Sequence, residues 1–172
     1  MSMNLRPTKL EDAAALAAIY NYYIENTVVT FETEPVSVEE FRGRIQRVSA
    51  DYPYLTMERQ GEIVGYAYAS RYRDRAAYQW CAELSLYVRQ DCRRGGIGRA
   101  LYTGLLADLT ERGIYNAYAC ITVPNDESMG FHRAFGFRDS GTFRMSGFKH
   151  GEWHDIAWLE LRLPQKLDKP TD

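Results

Sequence analysis

Apolar positions recur at helical spacing over residues 10–26, LEDAAALAAIYNYYIEN, and again over 37–48, SVEEFRGRIQRV. Thr8 and Glu11 stand in capping-box relation before the first run, and Ser37 and Glu40 repeat that relation before the second. The pattern then changes. Residues 52–70, YPYLTMERQGEIVGYAYAS, read as two strands around a Gln60-Gly61 turn, and YQWCAELSLYV supplies a further strand. A helix is predicted from about Gly96 to Arg112, followed by a strand, NAYACITV, that Pro124 ends. DESMGFHRAFGF predicts a short helix closed by Gly136 as its C′ glycine. The segment from Gly141 to Leu163 reads as a closing hairpin turning near His150-Gly151. With one opening strand, the order is strand, two helices, three strands, helix, strand, helix, two strands. That order predicts a mixed α/β sheet in a single domain over residues 1–164, with a frayed tail over 165–172.

Composition narrows what such a domain does. The 172 residues are 45% hydrophobic and 26% charged, with a formal net charge of −2, which argues against bulk binding of nucleic acid or an anionic membrane. No apolar stretch approaches the roughly 20 residues of a membrane span, and the N-terminus lacks a signal-peptide pattern. Cys81, Cys92 and Cys120 are scattered, odd in number and without a C-x-x-C spacing, which suits a reducing cytoplasm and predicts neither a disulfide framework nor a zinc site. His150 and His154 sit four apart on a strand or turn, which does not bring them to one face, so no metal is expected. The 13 tyrosines are read as core and sheet packing.

The local chemistry centres on residues 92–99, CRRGGIGR, between a strand and a helix. Bare backbone N–H groups at a helix start make an anion site. A P-loop is excluded, because Arg99 and Ala100 follow Gly98 where Lys and Ser/Thr would be needed. A dinucleotide fingerprint is excluded too, because Leu101 occupies the third glycine position. Glu83, inside the apolar run CAELSLYV, is the leading candidate for a general base, since desolvation raises a carboxylate's pKa. Arg73 and Arg75 offer guanidinium forks for an anionic acceptor, with Phe31, Tyr78 and Trp80 as candidate apolar walls.

What does fit the glycine stretch is Arg93-x-x-Gly96-x-Gly98, which resembles the acetyl-CoA pyrophosphate loop of the GNAT N-acetyltransferases. VPNDESMGFHRAFGF, some thirty residues on, is similar to that family's pantetheine segment. NTVVTFETEPVS, YRDRAAYQWCAELSLYV, RALYTGLL and above all GFKHGEWHD resemble the phosphinothricin acetyltransferase branch, over nearly the whole chain. The resemblance implies the GNAT fold, a central mixed twisted sheet of about seven strands flanked by about four helices. It implies acetyl-CoA as co-substrate and direct transfer to the α-amine of a small amino-acid-like acceptor such as phosphinothricin, methionine sulfoximine or methionine sulfone.

Residue by residue, the resemblance again points to Glu83 as base and to His132 as acid or relay beside the leaving sulfur. Leu86, Tyr87 and Val88 would offer backbone groups to pantetheine and thioester, while Arg93, Arg94, Gly95, Gly96, Ile97, Gly98 and Arg99 would wrap the pyrophosphate. Asn125 and Ser128 would meet the pantetheine arm, with Asn125 also suited to cap the helix after Pro124. Phe31, Arg73, Asp74, Arg75, Tyr78, Leu84, Ser85, Lys149 and His150 would bind the acceptor, the last two from a hairpin that in this branch resembles a dimer-facing element. A homodimer follows from the resemblance alone. Leu84 departs from the small polar residues the branch often carries after the glutamate. Acetylation of protein N-termini, lysines or polyamines stays open as an alternative, as does a non-catalytic acyl-CoA-binding module.

Overall fold

The computed structural model describes residues 3–92 and 95–165. Seven strands form one sheet: β1 (Met3–Pro7), β2 (Tyr54–Arg59), β3 (Glu62–Arg71), β4 (Cys81–Val88), β5 (Asn116–Val123), β6 (Arg138–Lys149) and β7 (Glu152–Arg162). Four helices accompany it: α1 (Ala13–Asn26), α2 (Val38–Ser49), α3 (Ile97–Glu111) and α4 (Asp126–Ala134). The sheet order is β1-β2-β3-β4-β5-β7-β6, antiparallel except between β4 and β5. The predicted order of elements is the observed one.

Local chemistry sets most boundaries. Gln60 and Gly61 have φ of 56° and 82°, and His150 and Gly151 54° and 81°, the left-handed pairs that suit two-residue hairpin turns. The Ser37 hydroxyl accepts from the Glu40 N–H and caps α2, as its spacing predicts. Glu40 does not close the box; its carboxylate faces Arg44 and Arg47 instead. The Thr8–Glu11 box is a correction. Thr8 is taken up by the Thr56 hydroxyl at 2.7 Å, and Asp12 accepts from the Lys9 N–H while Arg6 grips it with two bonds. A cap one residue later, strengthened by a buried ion pair, displaced the spacing-based one.

Both sheet faces are covered. α3 packs over β2, β3 and β4 on one face, around Leu101, Leu105, Leu109, Val64, Ala82 and Leu159. α1 and α2 cover the other face above Tyr54 and Tyr66, where the tyrosines cluster: the Tyr54 and Tyr68 rings stack at 4.7 Å, and Tyr20 meets Tyr87 edge-on at 5.0 Å. No helix among the described residues is long and apolar enough to cross a membrane.

Candidate functional site

The feature that makes a site is a strand pairing that stops. β4 and β5 run parallel over three register pairs only, Cys81–Glu83 with Asn116–Tyr118. β4 continues to Val88 bonded to β3, and β5 to Val123 bonded to β7, so beyond Glu83 the two strands diverge. The opening holds a cavity of about 700 Å³, lined from β4, β5, the start of α3, α4 and the α1–α2 connection. An unpaired β4 edge inside a cavity is a docking rail for an extended ligand with amide groups of its own.

At the outer end, Gly96 takes φ +76° immediately before α3, a left-handed conformation that no neighbour enforces and that glycine adopts without strain. At Gly98 a Cβ would lie 3.3 Å from Leu86 and 3.4 Å from Phe131, so the start of α3 sits close against β4 and α4. Gly96, Ile97, Gly98 and Arg99 all line the cavity. The helix N-terminus presents unbonded N–H groups there and suits an anionic group. Gly95 lies beside this turn, and Arg93 and Arg94 fall outside the described residues. Leu86, Tyr87 and Val88 line the cavity along the open edge. The Val88 carbonyl, however, already accepts from the Tyr23 hydroxyl at 2.6 Å, a partner invisible in the sequence. The Arg89 N–H bonds the Val64 carbonyl, so by the alternation of an antiparallel ladder the Tyr87 backbone faces β3 and Leu86 faces the open edge.

Glu83 stands where β4 and β5 part, half-buried and lining the cavity. Burial pushes its carboxyl above the usual glutamate range, while the charge of Arg73 pulls it partly back. Next on this strand face is Ser85, which also lines the cavity and stands opposite Tyr68 of β3 in the sheet register.

His132 lies on α4, buried and on the cavity wall. One ring nitrogen, Nδ1, is 2.8 Å from the Ser128 carbonyl, which only accepts, so Nδ1 carries the proton. Nε2 is then the acceptor for the Tyr102 hydroxyl at 2.8 Å. Burial lowers the histidine's pKa, with the Ser128 carbonyl holding it partly up. The expectation of an acid or relay meets a constraint here: a neutral imidazole whose Nδ1 proton goes to the Ser128 carbonyl has none of its own to give, and Nε2 reaches the cavity only beside the Tyr102 hydroxyl it accepts from. Asn125 Oδ1 accepts from the Ser128 N–H and caps α4, and both residues line the cavity.

The acceptor residues expected from sequence divide. Phe31, Leu84 and Ser85 line the cavity with Glu83. Arg73 acts on Glu83 electrostatically from outside the wall, its guanidinium 5.1 Å from the Tyr72 ring. Asp74, Arg75 and Tyr78 are exposed at and beside the short 3-10 turn Ala76–Tyr78, and within one chain they do not line the cavity. His150 is exposed at the hairpin turn. Lys149, by contrast, is buried and donates to the Thr30 carbonyl at 2.8 Å. Thr27, Val29, Thr30, Tyr102 and Cys120 line the cavity without having been anticipated. Burial pushes the Cys120 thiol up to about 11. Among the described residues no cluster of three or more His, Cys, Asp or Glu side chains is placed to hold a metal ion.

Comparison with known proteins matches this geometry. A profile of the Acetyltransferase (GNAT) domain family matches residues 5–158. The chain is 38% identical to a phosphinothricin N-acetyltransferase of Streptomyces viridochromogenes, over 98% of this chain and 94% of that protein. It is 31% identical to an L-methionine sulfoximine/L-methionine sulfone acetyltransferase of Pseudomonas aeruginosa, over 99% of this chain and 100% of that one. Among solved structures, a GNAT superfamily phosphinothricin acetyltransferase from Sinorhizobium meliloti in complex with AcCoA superposes with a TM-score of 0.94 at 35% identity, covering 100% of this chain and 95% of that chain.

Proposed function

We propose an acceptor and a mechanism from one premise: this chain belongs to the GNAT acetyltransferase family and is an acetyl-CoA-dependent acetyltransferase of the phosphinothricin acetyltransferase type. The acceptor is the α-amine of a small amino acid with a tetrahedral or oxidised side group, of the phosphinothricin, methionine sulfoximine or methionine sulfone kind. The names of the relatives support this class. The observation that carries the mechanism is Glu83, half-buried where β4 and β5 separate at the wall of the large cavity.

Acetyl-CoA supplies an acetyl thioester, which the acceptor amine displaces as an amide while CoA leaves as a thiol. Glu83 takes the proton of the acceptor's ammonium group, directly or through one water, which frees the nitrogen lone pair for attack. Its raised pKa suits this task, because a more basic carboxylate accepts the proton more readily. The backbone of Leu86 and the Val88 N–H, on the open edge, orient the pantetheine arm, and one N–H there polarises the thioester carbonyl. Residues 96–99 hold the pyrophosphate at the α3 N-terminus, with Asn125 and Ser128 beside the arm. His132, neutral and engaged at both nitrogens, shapes the cavity with Tyr102; the departing thiolate is a competent leaving group whose proton comes from solvent.

The exposed Phe143, Met145, Phe148 and Trp153 on the β6–β7 hairpin support a homodimer, and the free cysteines a cytoplasmic setting. Detoxification of amino-acid analogues is the role that fits this acceptor class. Thiol release from acetyl-CoA, measured against phosphinothricin, methionine sulfoximine, methionine sulfone, ordinary amino acids, spermidine and a short peptide, tests the reading. One of the first three turns over best if it is right. Preference for the peptide or spermidine contradicts the acceptor and leaves the cofactor site intact.

A further inference from the structure

The most buried charged side chain outside the reaction is Lys149, 3% exposed at the end of β6. Its ammonium reaches across 119 residues of sequence to the Thr30 carbonyl. Thr30 belongs to the connection between α1 and α2, from which Thr27, Val29, Thr30 and Phe31 form one wall of the cavity that holds Glu83.

That connection is fastened from two sides. From the helices, the Tyr20 hydroxyl donates to Glu32 at 2.9 Å and Arg44 grips the same carboxylate at 2.6 and 3.2 Å. The Thr30 hydroxyl meets Tyr20 at 2.8 Å. From the hairpin come three contacts. Lys149 holds the Thr30 carbonyl, Phe31 lies against Gly147, and the Phe31 ring centroid is 6.2 Å from that of His154, whose ring N–H donates to the Lys149 carbonyl at 2.9 Å. A Cβ on Gly147 would come within 2.3 to 2.6 Å of the Phe31 ring, so the absent side chain is what lets the wall close. A buried ammonium is costly unless it does something for the fold around it. Here its bond joins two segments that neither helix nor sheet pairing connects.

We propose that Lys149 is a positioning residue: by holding the Thr30 carbonyl it fixes residues 27–36, and with them Phe31, as a roof over the acceptor next to Glu83. The sequence resemblance placed Lys149 against the acceptor itself; the geometry makes it the fastener of the wall that the acceptor touches. This rests on the acceptor lying at Glu83, as proposed above. It also ties acceptor affinity to the hairpin, so that disturbing β6 and β7 is felt in the site.

Lys149→Met keeps the length and removes the donor. Losing a charged hydrogen bond in a buried setting predicts a rise in the acceptor KM of about tenfold or more, with the acetyl-CoA KM unchanged within about twofold. Backbone amides of residues 27–36 then exchange faster with deuterium, while those of α3 keep their protection. Lys149→Arg restores part of the acceptor KM. Gly147→Ala, which leaves the lysine in place but pushes Phe31 away, raises the acceptor KM by itself, and Lys149→Gln, read by the same two measurements, decides the matter if Lys149→Met does not fold. Wild-type acceptor KM and wild-type exchange over 27–36 in a folded variant overturn the proposal, as does an equal rise in both KM values. The exchange measurement needs no acceptor. A wild-type enzyme that acetylates no amino acid would therefore sink the acceptor reading while the fastening stands or falls on exchange.

Discussion

The two ends of the cavity are built on different principles. The end proposed for the cofactor is mostly backbone: an unpaired stretch of β4, a left-handed Gly96 and the first turn of α3. Its parts lie in one continuous stretch, residues 84–100. The end proposed for the acceptor is side chain: Glu83 from β4, Phe31 from the α1–α2 connection, and a lysine bond to that connection from a hairpin more than a hundred residues away. A backbone site binds what every member of a reaction class shares and tolerates substitution around it. A side-chain site selects among acceptors and depends on distant packing.

That contrast can be broken by variants at each end. The largest effect belongs to Glu83→Gln, which removes the proposed base while keeping shape. Its kcat/KM for the acceptor is expected to fall at least ~10²-fold, the scale of a general base. Binding of acetyl-CoA, read by calorimetry, stays at the wild-type value. An equal loss in cofactor binding would mean that the two ends are not separate.

Gly96→Ala probes the other end. The added Cβ meets no atom, so only the left-handed φ opposes it, at about 1 kcal/mol, or about fivefold in acetyl-CoA affinity. The acceptor KM at saturating acetyl-CoA is unchanged. The smallest effect is expected at Cys120→Ala. A half-buried thiol pushed up to about 11 is not a nucleophile at neutral pH, so kcat stays within about twofold and initial-rate patterns remain those of direct transfer. Parallel lines in a double-reciprocal plot would instead reveal an acetylated enzyme.

The same contrast explains what the sequence made legible. The element order, both hairpin turns and the glycine-rich loop were readable because each rests on local rules: periodicity, left-handed turn residues and a helix start. Glu83 was readable as a charge inside an apolar strand. The fate of Lys149 was not, because only the fold brings it to Thr30, and a lysine in a charged hairpin looks solvated. His132 lines the cavity, but its chemistry depends on the Tyr102 hydroxyl thirty residues earlier and on its own helix's Ser128 carbonyl. Tyr23 on Val88 escaped for the same reason: helical spacing says which face of α1 is buried, and not which carbonyl its hydroxyl will find. The Thr8–Glu11 box failed where a buried Arg6–Asp12 pair outcompeted a surface cap.

The central claim is that Glu83 is a base poised by burial and restrained by Arg73. The direct measurement is kcat/KM for methionine sulfoximine against pH, in wild type, Glu83→Gln and Arg73→Met. The base works only when ionised, and its pKa is raised, so wild-type activity falls as pH drops through a point above the ordinary glutamate range. Removing Arg73 takes away the charge that lowers that pKa, so the acid limb moves to higher pH. In Glu83→Gln the limb disappears from the residual activity. An identical acid limb in all three proteins would contradict the account and assign the titration to another group.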